Sequence, residues 1–496
     1  MKVFVRWRPL VGAETAGGSV THGTTARPAP PSPPLLAVTV DRGLAPADKP
    51  WKSAHAFDAV LDGDASNAAA YATIVQPAVP RVMAGGWCSF FAYGHSGSGK
   101  THTVIGYEED HCHNHHHHHQ QQQPSVDRSG PGLCLAAAEQ LFAHIEKLNG
   151  GRDPATHHQH QQHPPLLAVG LSVIELRQKA AFDLLNDGAK CHIREGPDGK
   201  VHVRGETETL PGGRVRVRPV AQRPCWTLGE LRSALRGALA RRAVGRSSVH
   251  DQSSRTHAVL ELEVVSAPLA AARAAVADRQ SELVPVAKRA TDVTVAEQAK
   301  GVVRDADGRY APRPGYVVNQ ALIDEVNAEK AVFEARVAQA EADVDAVYAQ
   351  HNNNNSSSSR LGGKMVFVDL AGAEYRQDSN TATMSQTPTE RREARQINTD
   401  LLALKEVMRA WSAMRCEQNQ NQNQSQNQRQ RQQQRQRVPY RASPLTMVLR
   451  ETFTDARHGG AGMVVTVSPA TAHHAATLNS LKYGSLMGDG RTARGN

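Results

Sequence analysis

The chain has 496 residues, 40% of them hydrophobic, enough for one large domain or two medium ones. Lys and Arg number 57 against 48 Asp and Glu, a formal charge of +9 that suits either an acidic partner or a solvated basic surface. The six cysteines (Cys88, Cys112, Cys134, Cys191, Cys225, Cys416) form no Cys-x-x-Cys pair, which argues against a zinc site or a disulfide framework and for a reducing compartment; no apolar run of about 18 residues predicts a membrane span.

Met1-Lys2-Val3-Phe4-Val5 enters a strand directly, with no secretory signal. Val3 to Trp7 alternates and closes at Arg8-Pro9, a short strand. Ala26 to Pro34 is a proline-rich loop, Leu35 to Val40 a second short strand, and Ala54 to Asp58 a strand end. Asn67 to Ala84 has helical spacing, with Tyr71, Ile74, Val75, Val79 and Val82 on one broad face. Trp87 to Tyr93 reads as a buried strand. It leads into Gly94-His95-Ser96-Gly97-Ser98-Gly99-Lys100-Thr101, which fits G-x-x-x-x-G-K-[ST], a phosphate-binding loop. Gly94, Gly97 and Gly99 allow positive φ, so several N–H groups can point inward. The helix expected from Thr101 onward adds its N-terminus to that anion site. Lys100 supplies a point charge for the β- and γ-phosphates, and Thr101 a hydroxyl for Mg2+. Strand, loop and helix in this order set the match apart from a chance Gly/Ser loop.

His111 to Gln123 is a His/Gln tract, read as an inserted repeat because no second ligand cluster frames it for a metal. Leu133 to Leu148 is an amphipathic helix, His157 to His163 a second His/Gln insertion, and Leu166 to Leu176 a strand. Phe182-Asp183-Leu184-Leu185 reads as a short helical turn. Val201 to Val203 and Val215 to Val217 are short strands, Leu228 to Ala243 a basic helix, and His257 to Val265 a long strand. Residues 266–360 change texture, toward Ala, Glu, Asp and Gln. Within them Leu322, Val326, Phe333, Val337, Ala340, Val344 and Val347 fall near a/d heptad spacing. A large loop insertion with a helix or helical hairpin is the main reading, and a partner-binding coiled coil the competing one. Met365 to Asp369 is a buried strand ending in an acid, and Glu390 to Ala413 a long helix. Gln418 to Arg437 is a Gln/Asn/Arg tract with no apolar face, expected to be disordered. Leu445 to Phe453 is helical, Met463 to Val467 a strand, and Ala475 to Leu486 a final helix. The alternation of strands and helices predicts an α/β sheet covered on both faces.

Three further stretches would complete a phosphate-sensing site: Arg6-Trp7-Arg8-Pro9, Ser253-Ser254-Arg255-Thr256-His257 just before a strand, and Asp369-Leu370-Ala371-Gly372-Ala373-Glu374 at a strand's C-terminal end. Asp369 can hold metal-bound water as a Walker-B acid does. The Gly372 N–H can bond the γ-phosphate only while it exists, and Ser254 can reach the same oxygens and the metal. Arg255 and Glu374, of opposite charge, can pair across the γ-phosphate and position the attacking water. Loss of these contacts on hydrolysis would relax both loops. Each stretch alone is a weak signal. Their order around one phosphate loop carries the argument.

Together with Phe91 to Thr101, these stretches resemble the kinesin motor domain. Ile397-Asn398-Thr399-Asp400-Leu401-Leu402-Ala403-Leu404-Lys405-Glu406, Val438 to Thr446, and Thr477-Leu478-Asn479-Ser480-Leu481-Lys482-Tyr483 agree with it. The resemblance implies a P-loop NTPase-like kinesin fold: a central, mostly parallel twisted sheet flanked by helices on both faces, with long low-complexity loop insertions. The motor domain would span 1–490, with insertions at 108–132, 150–165, 266–360 and 415–437. It implies ATP and Mg2+, with Gly94 to Thr101 on the phosphates and Thr101, Ser254 and water-bound Asp369 on the metal. Arg6, Arg8, Pro9 and His102 would frame the adenine. Ser253, Ser254 and Arg255 would form switch I; Asp369, Gly372 and Glu374, switch II. The partner implied is the microtubule, met by the helix Glu390 to Ala413, the tract after it and Tyr440 to Leu449. Arg415, Arg429, Arg431, Arg435 and Arg437, opposed only by Glu417, would attract acidic tubulin tails in a salt-dependent way; the tract reads equally as a low-complexity insertion. No nucleic-acid partner is implied, and the expected location is the cytoplasmic microtubule cytoskeleton.

The chain also departs from the family pattern. His250 stands where the family has Asn, which would alter turnover. His95 and Ser96 replace a Gln-Thr pair, with side chains expected to point away from the phosphates. Pro444 replaces a Lys on the tubulin side. Thr101-His102-Thr103, Ala65-Ser66-Asn67 and Leu404-Lys405-Glu406 resemble the internal-motor, depolymerising branch, but residues 41–52 lack its Lys-Val-Asp tip. No neck linker or stalk is evident before Asn496, which implies a motor fragment or a protein that does not walk as two heads unaided. The reading is a microtubule-stimulated ATPase. The alternatives are a non-stepping end depolymerase and a microtubule-binding protein weakened at switch I. A GTPase-type switch is disfavoured because no Asn-Lys-x-Asp stands after a late strand.

Overall fold

Val3, Val5 and Trp7 alternate with Phe4 and Arg6 along β1 (Lys2–Trp7), and both faces of the strand are buried, as a strand covered by helices on two sides requires. The structure, a computed structural model, describes residues 1–27, 34–43, 49–106, 130–150, 166–195, 201–210, 215–242, 255–304, 309–354, 360–373, 388–420, 438–454 and 459–488. β1 lies in a sheet with a parallel core: β5 (Ala59–Leu61), β1, β17 (Gly459–Val467), β6 (Trp87–Tyr93) and β16 (Lys364–Asp369). From β16 the sheet continues as an antiparallel wing: β13 (His257–Ser266), β7 (Leu167–Arg177), β8 (Ala180–Asp183), β9 (Ala189–Glu195), β10 (Val201–Thr209) and β11 (Val215–Pro219), with β12 (Arg223–Cys225) also on β7. β2 (Thr21–Ala26), β3 (Leu36–Asp41) and β4 (Trp51–Lys52) form a small separate sheet.

The alternation of β1, β6 and β16 sorts the core into two clusters. One gathers Phe4, Phe90, Leu260 and Phe367 under α1 (Asn67–Ile74), α2 (Val79–Met83), α4 (Leu133–Asn149) and α5 (Leu228–Arg242). The other gathers Val3, Val5, Phe91, Tyr93 and Val368 under α8 (Pro388–Gln420), α9 (Pro444–Val448), α10 (Arg450–Thr454) and α11 (His474–Gly488). The single helix expected over Asn67 to Ala84 is in fact broken. Pro77 has no N–H for the Thr73 carbonyl and its ring crowds it, and Pro80 does the same to Gln76, so a 3-10 turn at Gln76–Ala78 separates α1 from α2.

Phe182-Asp183-Leu184-Leu185 is not a helical turn. Gln178 and Lys179 take positive φ (49° and 73°), closing a tight hairpin that pairs Phe182 with Glu175 and Asp183 with Ile174. The buried Asp183 carboxylate then accepts the Leu185 and Ala221 N–H groups at 3.0 and 2.7 Å, which ends the strand.

α6 (Ala267–Lys300) and α7 (Gln320–Asn354) pair as a helical hairpin, tipped by β14 (Val302–Arg304) and β15 (Tyr310–Pro312). Val344, Val347 and Tyr348 of α7 pack on the first core cluster. A buried ion pair pins both helices to the sheet. Arg273 of α6 forks onto Glu263 of β13 at 2.7 and 3.0 Å, and its guanidinium also donates to Gln222 Oε1 (2.7 Å) and Tyr348 Oη (2.6 Å). The Glu263 side chain is 0% exposed; Gln222 Nε2 also donates to it at 2.5 Å and Lys364 Nζ lies 4.0 Å away, so losing Arg273 leaves the buried carboxylate only partly compensated. Arg273→Ala is expected to cost about 3 kcal/mol by thermal unfolding and to open the hairpin to limited proteolysis.

Candidate functional site: the phosphate loop and its switch

β6, β16 and β17 run parallel and end in register, Ala92 beside Asp369 and Tyr93 beside Val465, so the loops after them meet at one edge of the sheet. The first is the phosphate loop, which opens α3 (Lys100–Val104). Gly99 caps that helix at φ 96°, a left-handed conformation that only glycine adopts at low cost. Ser98 turns into the core, its Oγ 2.7 Å from Thr466 Oγ1. Ser96 and Gly97 are exposed, whereas His95 is buried and turned toward His473, with ring centroids 4.9 Å apart. Burial, with His473 and Lys100 nearby, pulls the His95 pKa down to about 3, so the ring is neutral.

Lys100 is buried and donates to the carbonyls of Gly94 (3.2 Å) and His95 (2.8 Å). Burial lowers its pKa to about 8, against the opposing pull of the Asp369 carboxylate. An anion binding here must find the ammonium charged, so binding above pH 8 takes up a proton. The affinity for a nucleoside triphosphate should therefore fall by roughly tenfold per pH unit above about pH 8.5. Calorimetry in buffers of different ionisation enthalpy would report the proton uptake; a flat affinity between pH 7 and 9.5 would contradict it.

The second loop follows β16. The Ala373 N–H donates to the Gly94 carbonyl at 3.2 Å, and a Cβ on Gly372 would sit 2.8 Å from the Ser96 nitrogen, so the two loops touch through their backbones. Asp369, at the end of β16, is fully buried. Its Oδ2 accepts from Thr101 Oγ1 (2.9 Å) and Arg242 Nη1 (2.7 Å), while among the described residues its Oδ1 has no hydrogen-bond partner. A buried carboxylate oxygen left over beside a threonine hydroxyl is a hard-oxygen pair that fits Mg2+ directly or through water. Among the described residues no cluster of three or more His, Cys, Asp or Glu could hold a metal by itself.

The N-terminal stretch divides. Arg8 reaches the phosphate loop, its Nε donating to Gly97 O at 2.8 Å, and Glu14 clamps the guanidinium at 2.7 and 2.5 Å. That pair holds the Glu14 pKa down to about 2. Arg6 turns inward instead: it is buried and bonds Thr103 Oγ1 (3.0 Å) and Ala65 O (3.3 Å), propping α3 from behind. Pro9 is exposed and His102 half-buried, with the His102 pKa lowered by burial and then by Arg6.

Arg255 is buried, and its Nη1 lies 3.6 Å from Glu393 Oε2 of α8. Ser253, Ser254, His250 and Glu374 lie outside the described residues, as do Arg429, Arg431, Arg435 and Arg437. Arg415 belongs to α8. The sequence assigns no role to two residues of the site, Arg242 and the His257 that closes the Ser253-to-His257 stretch. Arg242, the last residue of α5, ties Asp369 to Thr256, with Nη2 3.0 Å from the Thr256 carbonyl. His257 Nδ1 accepts the Ala371 N–H at 3.0 Å. For Arg242 the available signal was a basic helix ending just ahead of the Ser-Ser-Arg stretch.

The family model described as the kinesin motor domain matches residues 6–288 and 340–489. The unmatched 289–339 fall in the distal part of the α6–α7 hairpin. Kinesin-like protein KIF25 of Macaca fascicularis is 26% identical over 424 residues, covering 85% of this chain and 55% of that protein. Kinesin-like protein KIN-13B of Arabidopsis thaliana is 23% identical over 432 residues, covering 87% and 40%. The chain thus spans about half the length, or less, of the curated relatives it matches. The structure described as that of a fast kinesin superposes with a TM-score of 0.52 at 18% identity, covering 98% of this chain and 91% of that one. The motor domain of a Kar3-like kinesin from Ashbya gossypii gives 0.50 at 15%, covering 98% of both. With one family model matched over most of its length, and its phosphate loop and switch strand meeting at one sheet edge, the chain belongs to the kinesin motor domain family.

Proposed function

We propose that this motor domain is a microtubule-stimulated ATPase that couples loss of the γ-phosphate to movement of its switch segments, and through them to its hold on the filament. One observation carries the reading: the phosphate loop and the strand end bearing Asp369 are joined by the Ala373–Gly94 backbone bond and by Thr101 and Arg242 meeting on one carboxylate oxygen. A ligand that draws on Lys100 or Thr101 must disturb that junction. Lys100 would leave its two loop carbonyls for the β- and γ-phosphates. The Gly372 N–H would bond the γ-phosphate, and Arg255 with Glu374 would position the attacking water. Mg2+, held by Thr101 and Ser254 and through water by Asp369, would neutralise the phosphate charge.

The filament face would be α8 and the Tyr440-to-Leu449 segment. Between them and β9 runs a groove of about 660 Å³, lined in part by Lys179, Lys190, His192 and Arg194, a charge suited to acidic tubulin tails, with Arg441 paired to Glu195 at 2.6 Å. A microtubule-bound location in the cytoplasm follows from this reading. Among the described residues no helix is long and apolar enough to cross a membrane. The test is the ATPase rate with and without microtubules, with filaments imaged in parallel. Stimulated turnover with gliding supports the proposal. Shortening without gliding would assign an end depolymerase, and co-sedimentation without turnover would overturn the ATPase reading.

A further inference from the structure

Asp400 is an acid on the buried face of α8, among Ile397, Leu401, Leu404 and Val407. Gln396 Nε2 donates to its Oδ1 at 3.0 Å. Its Oδ2 faces His257 Nε2 across 3.9 Å. His257 is itself buried at the start of β13, and its Nδ1 accepts the Ala371 N–H, two residues from Asp369. A neutral imidazole that accepts at Nδ1 carries its proton on Nε2. Among the described residues that buried N–H has no hydrogen-bond partner. It points a donor at a carboxylate from just beyond hydrogen-bond range, by about 1 Å.

We propose that His257 and Asp400 are the contact through which α8 acts on the phosphate-sensing strand end, with Asp400 as a positioning residue. The proposal rests on the filament-stimulated ATPase reading above. A filament pressing on α8 moves its inner face toward β13, and a shift of about 1 Å closes the Nε2–H···Oδ2 bond. That bond is charge-assisted, and it makes Nδ1 a stronger acceptor for the Ala371 N–H. The backbone between Asp369 and Gly372 is thereby fixed, in step with the position of α8.

The test is a filament titration of steady-state ATPase in the parent chain, Asp400→Ala and Asp400→Asn. Asp400→Ala should keep its basal rate within about twofold and lose about tenfold of the filament-stimulated kcat, with the half-saturating filament concentration unchanged. Asn offers an uncharged oxygen to the same proton, so Asp400→Asn should lose only about threefold. Full stimulation in Asp400→Ala, equal loss of basal and stimulated rates, or a change confined to the half-saturating concentration would each overturn the proposal. If Asp400→Ala does not fold, Asp400→Asn decides on the same criteria. An unstimulated parent chain would overturn the ATPase reading itself, and stimulation that survives both substitutions would overturn the relay alone.

Discussion

Lys100→Ala is expected to abolish ATP turnover, with kcat/KM lowered by at least about a thousandfold, because the site loses the buried ammonium held at the loop. The physical basis is visible without nucleotide. Lys100 is buried against the loop it serves, and its pKa near 8 records the strain of a charge held out of water. A phosphate relieves that strain, so binding and charge stabilisation act on the same atom. Alanine also leaves the Gly94 and His95 carbonyls without this donor, a secondary cost of about 1 to 3 kcal/mol that a thermal melt would show. Turnover measured by phosphate release, together with nucleotide binding by calorimetry, checks the expectation. Parent-like turnover in folded Lys100→Ala would displace the site from this loop.

The second large effect concerns the fold of the site. Arg242 and Asp369 form an ion pair with side chains only 3% and 1% exposed. Arg242→Ala would leave the carboxylate buried, with Thr101 as its remaining donor among the described residues, at a cost of about 3 to 5 kcal/mol. For a chain of this size that corresponds to a fall of roughly 3 to 5 °C in Tm. Arg242 also holds the Thr256 carbonyl through Nη2, which a lysine cannot replace while reaching Asp369. Arg242→Lys should therefore recover only part of the loss. Adding Asp369→Asn to Arg242→Ala should recover stability, because the stranded charge is gone, while leaving turnover abolished. A double-mutant cycle by denaturant unfolding measures this; additive losses would mean that the pair is not coupled.

The site was legible in the sequence where its chemistry is contiguous. Gly94 to Thr101 carries its requirements within eight residues, and Met365 to Asp369 announces a buried strand ending in an acid. Arg242 was not legible, because its partner lies 127 positions away and nothing local separates it from the other arginines of a basic helix. His257 was read as the end of a polar stretch, and only the fold shows that it faces the Ala371 backbone and Asp400. The same contrast holds for the insertion. α7 betrays itself through Val326, Phe333, Val337 and Val344 at heptad spacing; α6 carries the same spacing at Leu269, Val276, Leu283 and Ala290, but its alanine-rich run and Pro285 mask it. Phe182 misled because an apolar pair three residues apart fits a helical turn as well as a strand end, and the positive-φ turn before it falls on Gln178 and Lys179, not on glycine.

The α6–α7 hairpin leaves the sheet from β13 and returns on β16, neighbouring strands bonded at the exit by Val264 N–H to Gly363 O and Gly362 N–H to Val264 O, each 2.9 Å. At its other end β13 begins at His257, and β16 ends at Asp369. The hairpin is thus a pointer mounted on the two strands that lead into the switches. α6 is held to the sheet as far as Asp278, which lies 3.6 Å from Arg216 of β11, so residues 279–300 beyond it make a free arm of about 33 Å. A twist of about 5° between β13 and β16, small beside the ordinary twist of a sheet, would swing its tip by about 3 Å. A dye at exposed Tyr310 would therefore register strand rotations that are too small to follow at the nucleotide site itself.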